Sequence, residues 1–197
     1  MAQDRVTKPY QIVLIGGSTG SIDVLLELMA MLHLPLSFAL IIVVHRKNIA
    51  DSNLASLLSV KTRIPVKEVD DKDILQPGHA YLAPADYHLL LEQNGTFSLD
   101  DSEKVNFSRP SIDVTFESAA DVYGSALVGI LVSGANADGT EGLRTIQQAG
   151  GIIVVQHPDS AQIAIMPQQA LAALSVDYIF DVPALATFIN NLNKLER

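Results

Sequence analysis

Three side chains spread along this sequence are of the types that together hydrolyse an acyl bond: the hydroxyl of Ser18, the imidazole of His45 and the carboxylate of Asp138. Ser18 lies in residues 12–23, IVLIGGSTGSID, where glycines flank a hydroxyl directly after a run of apolar β-formers. A strand, a turn too tight for bulky side chains and a hydroxyl at a helix start describe a mount for a nucleophile, and equally a cradle for phosphate. A serine hydroxyl is a weak nucleophile near neutral pH. A neutral imidazole must take its proton during attack and return it to the leaving group, the part that falls to His45. Asp138 would fix the imidazole tautomer and stabilise the imidazolium that forms. The glycines let backbone approach a substrate, and amides at the start of the next helix can donate to a developing oxyanion. Residues 16–20 satisfy G-x-S-x-G, a short pattern. The chain order Ser, His, Asp differs from the Ser, Asp, His of α/β-hydrolases, so a triad here needs another scaffold.

For residues so far apart to meet, the elements that carry them must end at one edge. Residues 11–17 read as a first strand. Residues 21–34 follow as a helix, with Ser21 or Asp23 near its start to satisfy free amides. Residues 38–45, FALIIVVH, form a second strand that is apolar on consecutive positions, as are 126–134 and 152–158. Such runs belong to parallel strands covered on both faces. Helices are expected at 51–62, 111–124, 139–151, 166–175 and 183–197. Short strands are expected at 65–70 and near 178–182, and 78–101 reads as strands around turns with a hairpin at Asn94-Gly95. The expected fold is α/β: a three-layer helix–sheet–helix, doubly wound and mainly parallel, with about seven strands and an inserted β-hairpin. Ligands in such sheets sit beyond the carboxyl ends of the strands. The first strand delivers Gly17, Ser18, Thr19 and Gly20 there; the second delivers His45; the strand 126–134 delivers Asp138; the strand 152–158 delivers Gln156 and His157.

Bulk properties exclude several classes. The 197 residues suffice for one well-buried domain, and no linker or repeat divides them. With 48% hydrophobic and 18% charged residues and no long uninterrupted apolar run, neither disorder nor insertion into a membrane is expected. A net charge of -9 disfavours nucleic acid as a partner. The absence of cysteine removes disulfides, thiol nucleophiles and zinc–thiolate sites, and the N-terminus lacks the apolar core of a signal peptide, so the cytoplasm is the expected compartment. The five histidines show no metal-ligand spacing. His33, His79 and His88 read as structural or surface residues.

The ordered motifs IGGSTGS, GHAYLAPADYHLLLE, FSRPSIDVTFESAA, SGANADGTEGLRTIQQAGG and VVQHPDSAQIAIMPQQAL resemble the catalytic domain of CheB-type chemotaxis receptor methylesterases. The resemblance covers nearly the whole chain. It implies Ser18 as nucleophile, His45 as base and Asp138 as the third triad member, with no metal or organic cofactor. It implies hydrolysis of γ-glutamyl methyl esters on the cytoplasmic helices of methyl-accepting chemotaxis receptors, releasing methanol, and in some members deamidation of receptor glutamines. Gly17, Thr19, Gly20, Ala135, Asn136 and Arg109 are the expected oxyanion and substrate-binding residues. Arg109-Pro110-Ser111 is expected to shape the pocket rim and start a helix, with Arg109 also facing an acidic receptor surface.

The chain departs from the family pattern at several places. Ser21 replaces the last glycine of S-T-G-G. Ala135 and Asn136 stand where a methionine and glycine usually precede D-G, near the oxyanion site. Arg46-Lys47 replace a hydrophobic residue and a proline after the base, and His157 stands where an acid is expected. Such methylesterases usually carry an N-terminal receiver domain, whereas residues 1–197 read here as a single catalytic domain with a 1–10 extension and no receiver, so that regulation would fall to a separate domain or protein. Two other readings remain. One is a receptor-binding homologue that has lost turnover through Ala135 and Asn136. The other is a nucleotide-binding α/β protein, which lacks any register of G-x-G-x-x-G, an acid ending the second strand, and a Gly-Lys-Ser/Thr.

Overall fold

The computed structural model describes residues 11–46 and 53–193. The 1–10 extension, Lys47, the start of the helix expected at 51–62 and the last four residues of the chain lie outside these. The strands are β1 (Ile12–Gly17), β2 (Ala39–Val44), β3 (Val66–Glu68), β4 (Ala80–Leu82), β5 (His88–Leu91), β6 (Phe97–Asp100), β7 (Leu127–Leu131), β8 (Ile152–Gln156) and β9 (Tyr178–Phe180). Seven of them form one parallel sheet in the order β3-β4-β2-β1-β7-β8-β9. β5 and β6 pair separately as the antiparallel hairpin that Asn94-Gly95 announces, with Gly95 at a φ of 77°.

Every residue of β1 and β2 is buried, as consecutive apolar runs require when helices cover both faces. The faces separate by strict alternation. Val13, Ile15, Leu40 and Ile42 pack with α1 (Ser21–Met31), α2 (Leu54–Ser59) and α6 (Val182–Leu192). Ile12, Leu14, Ile41 and Val43 pack with α3 (Ile112–Tyr123), α4 (Thr140–Gln148), α5 (Ile165–Ala173) and the hairpin.

From β1 the chain moves outward through β2 and then returns to β7 on the other side of β1. The carboxyl end of β1 is therefore the switch point of the sheet, where connections diverge and leave a crevice. Gly16 draws α3 down onto that end: a Cβ there would lie 2.4 Å from Ile112 Cγ2.

Two local expectations need correction. Neither Ser21 nor Asp23 caps α1. The N-cap is Gly20, at a φ of 82°, with no side-chain bond to the helix amides. The Ser21 hydroxyl instead donates backwards to the Ser18 carbonyl at 2.6 Å. α1 also stops at Met31 rather than 34, with Leu32 already extended, because Pro35 disfavours helical backbone at Leu34.

Candidate active site

β1 and β2 run in register, Gly17 beside Val44, so Ser18 and His45 leave adjacent strands at the same level. The ladder continues one step further, with the His45 amide donating to the Gly17 carbonyl at 3.2 Å. On the other side the Ser18 amide donates to the Ser133 carbonyl at 2.9 Å, tying Ser18 to the end of β7. Gly17 is buried here because a Cβ would lie 2.5 Å from Ser21 Cβ and 2.8 Å from Val132 Cγ2. Thr19 is exposed, and its carbonyl accepts from the Ser133 hydroxyl at 2.8 Å. The hydrogen bonds of this turn leave the Thr19 and Gly20 amides without an acceptor among the described residues. With no side chain capping α1, these amides point the positive end of a helix at whatever occupies the crevice.

Asp138 lies in the loop after β7, 1% exposed, and collects donors from three directions. His45 Nε2 lies 2.6 Å from its Oδ2. The Ile112 amide donates to the same oxygen at 2.7 Å, and the Ser111 hydroxyl and Asn106 Nδ2 each donate to Oδ1 at 2.9 Å. As an isolated reading, Asp138 would be the cap of the helix that follows it. That N-cap is Gly139, and Asp138 sits instead on the N-terminus of α3. Burial works against its ionisation, but the bonds from His45, Asn106 and the Ile112 amide outweigh burial and hold the carboxyl at about 2.

A second carboxyl, Asp113, is buried beside it. Asn106 Nδ2 bridges the two, donating to Asp113 Oδ2 at 2.7 Å, and the Gly142 amide donates to Asp113 Oδ1 at 2.7 Å. Burial and the neighbouring Asp138 charge push Asp113 up to about 7, against the Gly142 bond. Two adjoining carboxylates in a low dielectric share their protons unequally, and here Asp138 keeps the charge.

An ionised Asp138 can only accept, so the proton between it and His45 is carried on Nε2 and the neutral ring offers its lone pair at Nδ1. That atom faces the Ser108 hydroxyl at 3.2 Å, with Asn136 Nδ2 at 3.5 Å. No hydrogen bond joins Ser18 Oγ to His45 among the described residues. The sheet thus brings His45, Asp138 and Asn136 into contact and sets Ser18 on the neighbouring strand end, with the base's lone pair directed at another serine. Unliganded serine hydrolases commonly hold this bond loose and tighten it only around substrate.

A cleft of about 510 Å³ opens over His45, walled by Arg46, Asp86, Lys104, Phe107, Ser108 and Arg109. Arg46 pairs with Glu68 at 2.6 Å and donates to the Ala83 carbonyl at 3.2 Å. Arg109 donates to the carbonyls of Asp101 and Ser102, so part of its guanidinium is spent on holding the loop before it. Ala135 is exposed on the loop bearing Asn136. A larger hollow of about 650 Å³, between the C-terminal ends of α1 and α2, holds no hydroxyl–imidazole–carboxylate set.

A family model described as CheB methylesterase matches residues 13–189. The chain belongs to the CheB methylesterase family. It is 40% identical over 190 residues to a Leptospira interrogans protein provisionally named protein-glutamate methylesterase/protein-glutamine glutaminase, covering 95% of this chain and 98% of that one. A Thermotoga maritima protein-glutamate methylesterase/protein-glutamine glutaminase is 33% identical over 185 residues, covering 88% of this chain and 52% of the relative, so the chain spans about half its length. The crystal structure of the Thermotoga maritima CheB methylesterase catalytic domain superposes with a TM-score of 0.88 at 30% identity, covering 92% of this chain and 98% of that one.

Within this CheB frame the departures acquire physical content. Ser21 closes the turn after Ser18, Asn136 reaches the base, and Arg46 becomes a wall of the cleft. His157 is exposed and caps a short 3-10 turn by accepting from the Asp159 amide at 3.2 Å. Gln156, delivered to the same edge, accepts from the Ser133 amide at 2.9 Å. Sequence reasoning missed Asn106, Ser108 and Asp113; Ser111 starts α3 as its N-cap, as expected, and what went unread is its hydrogen bond to Asp138. Their signal is the density of short polar side chains around a proline in NFSRPSID, just before a helix.

Proposed function

We propose that this protein is a serine-type protein-glutamate methylesterase that also deamidates glutamines, acting in the cytoplasm on the helices of methyl-accepting chemotaxis receptors. The observation that carries the reading is the His45–Asp138 pair at 2.6 Å, set beside a serine on the adjacent strand end in a CheB-family sheet. On substrate binding, Ser18 Oγ attacks the γ-glutamyl carbonyl while His45 Nδ1 takes its proton. Asp138, on the far ring nitrogen, stabilises the imidazolium. The Thr19 and Gly20 amides receive the oxyanion, and the proton passes to methanol, or to ammonia from an amide, as the leaving group departs. Water then repeats the sequence on the acyl-enzyme and restores glutamate and Ser18. Neither metal nor cofactor enters this scheme.

No described helix is long and apolar enough to cross a membrane, which accords with a partner that presents its helices in water. The test is methanol release from a methylated receptor fragment. Wild type is expected to release methanol and Ser18→Ala to release none above background; equal rates would overturn the mechanism.

A further inference from the structure

The turn that carries Ser108 has a feature the chemistry does not use. Val105 and Ser108 exchange backbone bonds, at 3.2 and 2.9 Å, around Asn106 and Phe107, whose φ values are 51° and 62°. Two consecutive left-handed residues make a turn whose second place favours glycine. This chain puts phenylalanine there, and the ring is 99% exposed. The backbone strain is offset by no burial of the ring. What holds the turn in shape is its neighbours: Asn106 bonds Asp113 and Asp138, and Ser108 bonds His45. The ring is thereby fixed on the wall of the cleft that contains the base. Strain and exposed apolar area kept together at a reactive site point to a ligand that covers them.

The charges of the same wall say what kind of ligand. Arg46, Lys104 and Arg109 line the cleft; Glu68 offsets Arg46 and Asp86 stands on the same wall, which leaves the wall with a net positive charge on a chain whose net charge is -9. We propose that Phe107 is the docking anchor for the substrate polypeptide: an acidic protein surface that lays an apolar side chain, next to the reacting glutamyl group, against the ring. This rests on the function proposed above. A second copy of the chain or a regulatory protein seated there would bar substrate from His45, and the test separates these occupants.

Equilibrium binding of a methylated receptor fragment is measured beside its methanol release, for wild type, Phe107→Gly, Phe107→Tyr and, as a control, Val60→Ser, an exposed apolar site on the C-cap of α2. Losing one well-covered aromatic contact is expected to weaken fragment binding about tenfold or more. Phe107→Gly is expected to raise KM accordingly with kcat held within about threefold, while its melting temperature rises because glycine tolerates the positive φ. Phe107→Tyr is expected to bind like wild type, and Val60→Ser to leave binding and KM unchanged. Binding unaltered in Phe107→Gly, a fall in kcat alone, or a wild-type dimer that dissociates on this substitution would overturn the proposal. Wild type that binds the fragment through Phe107 but releases no methanol would overturn the proposed activity and leave the docking role standing.

Discussion

His45 presents Nε2 to Asp138 at 2.6 Å and turns Nδ1 toward the Ser108 hydroxyl at 3.2 Å. With the carboxylate ionised, Nδ1 is the only site on the neutral ring that can receive a proton. Ser108 faces that lone pair in this structure, and the mechanism proposed above needs Ser18 to take it once substrate is bound. Ser108 holds it in the unliganded state; Ser18 stands where the free amides of the α1 N-terminus can receive an oxyanion.

The two serines are expected to respond differently to alanine. Ser18→Ala should lose on the order of ten-thousand-fold or more in turnover, as loss of a triad nucleophile does. Ser108→Ala should stay within about tenfold of wild type, because it removes a hydrogen bond to the base and no bond-making atom. Methanol release by both variants decides the matter. A loss in Ser108→Ala as deep as in Ser18→Ala would move the nucleophile to the turn beside Asn106.

Asp138→Asn tests the tautomer. An amide that turns its carbonyl to the three donors now on Oδ1, from Ser111, Asn106 and the Asp113 amide, puts its NH2 where Oδ2 meets His45 and the Ile112 amide, forcing the ring to accept at Nε2 and carry its proton on Nδ1, where the serine needs a lone pair. Turnover is expected to fall by on the order of ten-thousand-fold. Denaturant unfolding should also show a loss, since the amide serves the donors of Ser111, Ile112 and Asn106 less well than a carboxylate.

The carboxyl pair shapes stability against pH. Asp113 moves from 3.8 up to about 7, so between those values the native state holds a proton that the unfolded chain releases. Its effect is a stability that declines as pH rises from about 4 to about 7 and then levels. Asp138 moves from 3.8 down to about 2, so its contribution is present above about 4 and is lost as pH falls toward 2. Asp113→Asn should flatten the upper limb and leave the lower one. Urea midpoints measured from pH 2 to 8 read both limbs, and an unchanged upper limb would show that Asp113 is not the group responsible.

Gly20→Ala should damage fold and site together. A Cβ at a φ of 82° is strained, and it would lie 2.6 Å from Gln162 Oε1 and 2.7 Å from Ser133 Oγ. A destabilisation of roughly 1–3 kcal/mol is expected in denaturant unfolding. Turnover should fall further than that loss explains, because the strain would shift the Thr19 and Gly20 amides to which the mechanism proposed above assigns the oxyanion.

Legibility followed the range of the forces involved. The consecutive apolar runs at 12–17, 39–44 and 127–131 required helices on both faces, so the parallel sheet and the shared edge of Ser18, His45 and Asp138 could be read directly. The Asn94-Gly95 hairpin was equally plain, since that turn needs those residues. Donors and acceptors inside the site were not. Nothing in the spacing says that Asp138 rests on α3 rather than α4, or that Asn106 spans two carboxyls 25 positions apart in the chain. Those contacts depend on the closeness of α3 that Gly16 and Gly142 permit, and a missing side chain leaves no pattern to read. Ser21 misled for a related reason: its hydroxyl suits capping, but Gly20 had already taken the cap with a left-handed backbone.

Asp138 serves two masters, the imidazole and the opening turn of α3, whereas Ser18 Oγ bonds to neither. Descendants of this gene that abandon hydrolysis can shed the serine at little structural expense, but the aspartate only by loosening a helix. Decay of activity should therefore begin at position 18, and an intact Asp138 in some distant cousin says nothing about whether that cousin still turns over substrate.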